Sequence, residues 1–533
     1  MEKEKKSLSR RGFLKGAAAG VGALAVADIG LQNAQAAPVP KKWDMEADVV
    51  IAGYGGAGAS AAIEAAKAGA SVLLFNKAPM PGGATRLSGG IIYGANTKIQ
   101  KEAGVQDSAE GMVKFVMAAG QGRATKELVK AVADMSAENI DWLESMGAKF
   151  SKQHLYMTGL EALPDYAAIT PPVKRGHRAD GGGGGLFKAL ENGVKAQKDI
   201  KVVLGASVTR PITRTTDSAA SCEVVGVKVL RKGKEINVKA KKAVILCSGG
   251  TSPIPAEMPW LKDYSPFCAL TIPAGDTNAT GDGYKIGIYC GGAMKGLNSG
   301  LYLPSIVIPG QKMAGMVYGT LWGLPLIYVS PEGKRFVDEG SGYVLTSEVM
   351  FKKDITACYC IFDAEAVKKA FALVPWGVSL DTTIAVGLNP KNLDDHVQRG
   401  DIWKADTVAE LARQLKIDPA ILEKTMADYN QNAEAKKDPE YNRKKGLAPV
   451  RTAPYYAFNV KIGMVAHQGG LSINPKAQVL NTYSEVIPRL YAAGRDAIGL
   501  FGGRYPASGN AIADCVAFGR IAGKIAAAEK PWR

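Results

Sequence analysis

An α/β fold interrupted by one inserted domain is what the sequence predicts, and three observations carry that prediction. Residues 47–76 run as an apolar stretch, a glycine turn, an alanine-rich stretch and a second apolar stretch, the signature of a strand–turn–helix–strand unit. From about residue 300 to 460 tryptophan, proline and tyrosine become denser, which marks a separate domain. The last seventy or so residues return to the character of the opening part, with a short strand at Leu490–Gly494 and a helix at Gly509–Gly523. The expected limits are 37–300 for the first part of one domain, 301–462 for the insertion and 463–533 for the closing part.

The opening unit is chemically the most specific. Gly53, Gly55 and Gly58 form G-x-G-x-x-G between the two apolar runs. The first glycine permits a tight turn, the second lets the backbone approach a pyrophosphate, and the third lets helix and strand pack closely. Gly56 and Ala57 open the helix, so the positive end of its dipole faces the phosphates. A dinucleotide site is expected here. Where an acidic residue would close the second strand on a ribose hydroxyl, the chain has Asn76, followed by Lys77. An amide oxygen accepts the same hydrogen bond without the charge.

The 533 residues suffice for two or three domains with large cores. Composition is globular, at 47% apolar and 22% charged. The first 36 residues read as an address: Ser9-Arg-Arg-Gly-Phe-Leu-Lys15 is a twin-arginine motif, followed by a weakly apolar Ala/Gly stretch and an Ala34-Gln-Ala36 cleavage site. Export to the periplasm or extracytoplasmic face is the expectation. Those residues hold six Lys or Arg against three acids, so the net charge falls from +16 to +13 without them. No basic block is interleaved with aromatics, so a generally basic surface is expected and nucleic-acid binding is not. No segment is long and apolar enough to be predicted as a membrane span.

Seven cysteines are scattered, without haem-attachment or ferredoxin spacing. Cys358 and Cys360 fit a buried strand. The four histidines have no ligand spacing, so no metal is expected. His154 and His396 are expected at the surface, and His177 with Arg178 as loop charges or anion contacts.

After the dinucleotide unit, Gly82–Gly90 is small enough to let backbone run against a cofactor. Residues 107–148 carry apolar residues at helical spacing. Five glycines, Gly181 to Gly185, open a further helix, and residues 200–247 read as strands of a meander. Residues 405–415 read as a capped amphipathic helix.

These pieces together resemble the flavoproteins of the succinate dehydrogenase/fumarate reductase group. The matching segments are Gly53–Gly58, Gly82–Gly90, Ile245–Gly250, Thr280–Gly283, Gly333–Glu339, His467–Gly470 and the closing helix. The resemblance implies FAD in a two-part Rossmann-like FAD-binding domain, an inserted α+β cap (substrate) domain, and hydride exchange between the flavin and an activated C–C or C=C bond. It implies cofactor contacts at Gly83, Ala84, Thr85, Ser88, Gly89, Gly90, Gly249, Asp282, Gly494, Asn510, Ala511 and Ile512.

Fumarate reductases are expected to carry an arginine proton donor where this chain has Tyr343, and a histidine where it has Val465. A carboxylate-clamping arginine corresponds to Arg504, with one extra residue intervening. The same positions look instead like 3-ketosteroid dehydrogenases, which place a tyrosine at Tyr343, a Y-P-x-x-G segment at Tyr505–Gly509, and a tyrosine in a P-D-Y stretch at Tyr166. The chain departs from that pattern at Ala507, Ser508 and Arg495.

The chemistry agrees with the second likeness. A ketone conjugated to the reacting bond needs donors at its oxygen, for which the Tyr505 hydroxyl and the Gly509 amide are suited. Tyr343 would exchange the proton at carbon, as acid or through a relay to Tyr166. The expectation is an exported FAD oxidoreductase acting on a bond α,β to a carbonyl, with a quinone or cytochrome as separate electron partner. An enoate reductase of the fumarate, urocanate or cinnamate type using Arg504, and a flavin electron-transfer subunit, are the alternatives.

Overall fold

The computed structural model describes residues 37–532 apart from 158, 216–221, 253–257, 312 and 374–382, so the expected export signal lies outside the described residues. Two near-continuous apolar runs, Met45–Ala52 and Val72–Asn76, form neighbouring parallel strands. Val49, Val50, Ile51, Leu74 and Phe75 are fully buried, as in a parallel sheet covered on both faces. Ile200–Leu204 extends this sheet on one flank and Lys234–Leu246 on the other. The long strand Lys234–Leu246 changes partners along its length. Its start pairs antiparallel with Cys222–Arg231, and its end pairs in parallel with Val486–Ala492. The closing segment thus completes the sheet that the opening segment began.

The helices seal the same join. Gly56–Lys67 lies against the closing helix Asn510–Ala528. A Cβ on Gly519 would sit 2.5 Å from the carbonyl oxygen of Ala57, and one on Gly523 2.2 Å from that of Ala61. Residues four apart on each helix share a face, so two glycines rest on two alanines and the backbones nearly touch. The helices Ala109–Ala119, Lys126–Asp134 and Ser136–Ser145 bury the apolar residues whose spacing predicted them. No helix among the described residues is long and apolar enough to cross a membrane.

The inserted region is built on its own sheet. Strand Tyr455–His467 pairs with Gly300–Ile306 on one side and Ala357–Asp363 on the other. That sheet also takes in Ile272–Pro273 and continues to His467, beyond the expected limits of 301 and 462. Cys358 and Cys360 lie in its buried strand, as their spacing suggested. A register shift between Met464 and Ala466 lets Tyr302 pair with Met464 while Gly300 pairs with His467. Such a bulge re-aims side chains.

A network of charges is sealed inside this region. Arg335 donates to both oxygens of Glu339, at 3.0 and 2.8 Å, and to Asp438 at 3.0 Å. Arg443 donates to Glu339 at 2.9 Å and to the carbonyl oxygens of Leu326 and Gly446. The turn that follows Glu339 ends at Gly342, whose φ of +93° only glycine adopts without strain, and delivers Tyr343 as the first residue of helix Tyr343–Lys352.

Two histidines differ from expectation. His396 is buried, not at the surface; its Nδ1 lies 3.0 Å from Asp401, because the helix Leu393–Gln398 turns it inward. His177 is a buried strand residue between Thr97 and the carbonyl of Arg175, at 2.8 Å from each, and not a loop charge. His154 is part-exposed and lies 3.2 Å from Asp180.

Candidate active site

The glycine turn divides its labour as the spacing requires. Gly53 has φ +109°, and a Cβ there would strike the carbonyl oxygen of Cys247 at 2.2 Å; one on Gly58 would strike that of Gly53 at 1.8 Å. Gly55 is different, since its nearest neighbour would be the Gly82 oxygen at 3.7 Å. Protein packing therefore does not demand glycine at Gly55, whereas close approach of a pyrophosphate does. Gly89 is likewise open, with nothing nearer than Ile91 at 3.9 Å. The residues present fit a dinucleotide cofactor.

Around this turn the other predicted contacts assemble. Gly56 donates its N–H to Thr85 Oγ1 at 3.1 Å, which ties the short helix Gly83–Leu87, and with it Ala84, to the phosphate turn. Ser88 Oγ accepts from the Gly90 amide at 3.1 Å. Lys77 donates to Thr280 at 2.7 Å and pairs with Asp282 at 3.1 Å. Asn76 has a partly different use from the one expected: its oxygen accepts from the Tyr54 amide at 3.1 Å and its NH₂ holds the carbonyls of Ala78 and Met80. One lone pair of that oxygen is left for a ribose hydroxyl. Gly249 (φ +95°) and Gly494 (φ +64°) make the turns facing Ala279 and Ala57. Asn510, Ala511 and Ile512 open the closing helix behind Gly509, at φ +104°.

The segment Tyr505–Gly509 is pinned from three sides. Pro506 O accepts from Leu160, Gly509 O accepts from Tyr93, and Ala507 O accepts from the Asn510 side chain at 2.9 Å. The buried Tyr505 hydroxyl accepts the Ala511 amide at 3.2 Å, and the Gly509 amide faces the same oxygen. Its own proton remains to be donated. Tyr343, buried in the core cluster of the cofactor domain although its chain comes from the insertion, lies 2.9 Å from Ser508 Oγ. Two phenols and a serine therefore meet at the opening of the closing helix.

Burial holds the Tyr343 hydroxyl well above the ordinary phenol range, and the neighbouring Tyr505 adds to this. Burial also raises Tyr505, against the opposing pull of Arg495. Both stay protonated at neutral pH. The relay expected from Tyr166 to Tyr343 is not formed: Tyr166 accepts from Arg504 at 3.1 Å, and Ser508 takes the place beside Tyr343. Arg504 is not free to clamp a carboxylate either. Its fork donates to both oxygens of Glu348, at 2.7 and 2.8 Å, the bidentate geometry that satisfies a guanidinium most fully.

Several site groups carried little or no signal in the sequence. Glu161, buried, accepts from Tyr93 at 3.1 Å and from the Gly159 amide at 2.7 Å. His467, which the sequence did mark within His467–Gly470, is buried with Nε2 3.4 Å from Cys268 Sγ, and burial lowers its pKa to about 4. Ser508 and Arg495 stand out only as departures from a pattern. Glu348 has no distinguishing mark, being one glutamate on an ordinary helix.

A family model described as the FAD binding domain matches residues 48–512. The chain is 32% identical, over 90% of its own length and 77% of the relative's, to a fumarate reductase (cytochrome) of Shewanella frigidimarina. Among solved structures it resembles the open conformation of a flavocytochrome c3 fumarate reductase, with a TM-score of 0.73, 29% identity, and coverage of 99% of this chain and 83% of that one. It also resembles the 3-ketosteroid-Δ4-(5α)-dehydrogenase of Rhodococcus jostii RHA1, in complex with 4-androstene-3,17-dione, with a TM-score of 0.70, 28% identity, and coverage of 92% and 99%.

Proposed function

The chain belongs to the FAD-binding family of oxidoreductases that act on CH–CH groups, and from that premise we propose that it transfers hydride at a bond α,β to a ketone carbonyl, reducing C=C as an enone reductase does, in an active site like that of a ketosteroid dehydrogenase. One observation carries the reading. The protonated phenols of Tyr343 and Tyr505 share a buried site, while the nearby Arg504 is already saturated by Glu348. Such a site suits a carbonyl oxygen better than a carboxylate pair.

Bound FAD supplies the hydride. Tyr505, its oxygen backed by the Ala511 amide, donates its proton toward the substrate carbonyl, where negative charge gathers. Tyr343 delivers the second hydrogen to the α-carbon as a proton and regains it through Ser508. Burial keeps this phenol protonated at neutral pH, so it enters the reductive direction ready to act as acid, and dehydrogenation would need it as the phenolate. The Tyr505–Gly509 segment, tied to Leu160 and Tyr93, keeps both phenols in place.

Export by the twin-arginine route and a quinone or cytochrome as electron donor complete the proposal. The Ser9–Lys15 motif supports the first. The cytochrome in the relative's name supports the second. Turnover by the purified chain on a substrate pair, with no carrier added, would overturn the separate donor. An enoate substrate is the second reading, supported by the identity to fumarate reductase.

Anaerobic stopped-flow separates the two readings. The reduced enzyme is mixed with a 4-en-3-one steroid or cyclohexenone, and with fumarate, urocanate or cinnamate. Enones should reoxidise the flavin, Tyr343→Phe should slow this about 100- to 10,000-fold, and Arg504→Ala should change it less than about tenfold. Reoxidation by enoates alone, lost in Arg504→Ala and kept in Tyr343→Phe, overturns the proposal.

A further inference from the structure

Arg495 stands at the edge of the phenol cluster and is wedged into the cofactor cradle. Its neighbour Gly494 packs so tightly that a Cβ there would lie 3.0 Å from Ala57 Cβ and 3.1 Å from Cys515 Sγ. On the other side, a Cβ on Gly250 would lie 2.6 Å from the Arg495 carbonyl oxygen and 3.1 Å from its Cβ. The guanidinium stacks 4.4 Å over the Phe501 ring and reaches 5.9 Å from that of Tyr505. It thus lies between the phosphate turn and the two-phenol site.

What it lacks is an anion. Nη1 is buried without a hydrogen-bond partner, and among the described residues no carboxylate comes within 4.0 Å of the guanidinium. The two acids that share its field are committed or apart. Asp496 receives the Ser248 hydroxyl at 3.0 Å and the Gly250 amide at 2.9 Å, and Asp514 receives the Leu500 amide at 3.0 Å. Arg495 is partly buried, and the stacking on two rings leaves its buried Nη1 proton donors without an acceptor, which costs free energy.

We propose that Arg495 is the cation for an anionic group of bound FAD, either its pyrophosphate or the ring once reduced. The proposal rests on FAD as cofactor and is independent of which substrate is reduced. Preorganised positive charge beside a group that becomes negative stabilises that form selectively. At the pyrophosphate the same charge would act on affinity instead.

Arg495→Met keeps the stem over Phe501 and removes the charge; Arg495→Lys keeps a charge. Holoenzyme of each is assayed for FAD release, for ADP binding to the apoprotein, for sulfite binding and for flavin midpoint potential. A pyrophosphate contact predicts at least tenfold faster FAD release in Arg495→Met, with ADP weakened in parallel and the potential unchanged. A contact to the ring predicts a tenfold loss of reduced relative to oxidised FAD affinity, a fall of about 30 mV for the two-electron couple, with weaker sulfite binding. Arg495→Lys should stay close to wild type in whichever set moves. Release, ADP affinity and potential all at wild-type values in Arg495→Met overturn the proposal. Should that variant not fold, Arg495→Gln takes its place: the same shifts support the cation role, and wild-type values in all three overturn it.

Discussion

Two of the buried polar clusters among the described residues are solved in opposite ways. In the inserted domain Arg335, Glu339, Asp438 and Arg443 balance two positive against two negative charges, and each guanidinium is held by carboxylates or carbonyls. At the opening of the closing helix the pairing is incomplete. Arg495 Nη1, Asp514 Oδ2 and Asn510 Oδ1 are buried without protein partners, and burial raises Asp514 to about 7. A structural network closes on itself, whereas a site leaves its valences for a cofactor and a substrate.

Breaking the closed network should cost the most. Glu339→Ala leaves two buried guanidinia with Asp438 as the one carboxylate of the network, an expected loss of about 3–5 kcal/mol in denaturant-induced unfolding, with the flavin site affected only through the turn to Tyr343. Wild-type stability in that variant would show that the network is not structural. At the open site the same deletion of one group should act on chemistry. Tyr505→Phe should lower kcat about 100- to 1,000-fold, roughly 3–4 kcal/mol of barrier, with unfolding free energy changed by only about 1 kcal/mol; a stability loss as large as that of Glu339→Ala would erase the distinction.

Acid should act next, through the buried histidines outside both clusters. His467 has its folded pKa lowered by burial to about 4, below the unfolded value of about 6.5. The unfolded chain then binds more protons, so the contribution is fully present above about pH 6.5 and is lost as pH falls toward 4, by up to about 3 kcal/mol. His467→Gln should flatten that limb of a stability-against-pH curve, leaving the part due to His177, whose burial places it at about 4 as well. An unchanged slope would mean that His467 is not buried neutral. The smallest effect is expected at Ser508→Ala, which removes one hydrogen bond to Tyr343, of about 1 kcal/mol: kcat falls about fivefold and its solvent isotope effect grows. No change in either would remove Ser508 from the proton route.

Much of the cofactor domain was legible because its requirements are local. A glycine at Gly53 is demanded by the φ of a single turn, and the burial of Val49–Ile51 by a run of apolar residues. The capping box of helix Val408–Leu415, Thr407 with Glu410, spans one helical turn and is equally plain. The pair Arg504–Glu348 joins residues 156 apart in the chain, from opposite domains. Nothing near either residue announces the other.

By itself the sequence determined a dinucleotide turn, a domain built in two parts and the placing of tyrosines at positions 343 and 505, since propensity, periodicity and the steric demands of glycine act over a few residues. Only the tertiary structure decided which charges are spent and which are free. Arg504 is neutralised and Arg495 is not, because pairing depends on which segments the two sheets bring within hydrogen-bond distance, and burial turns that difference into chemistry.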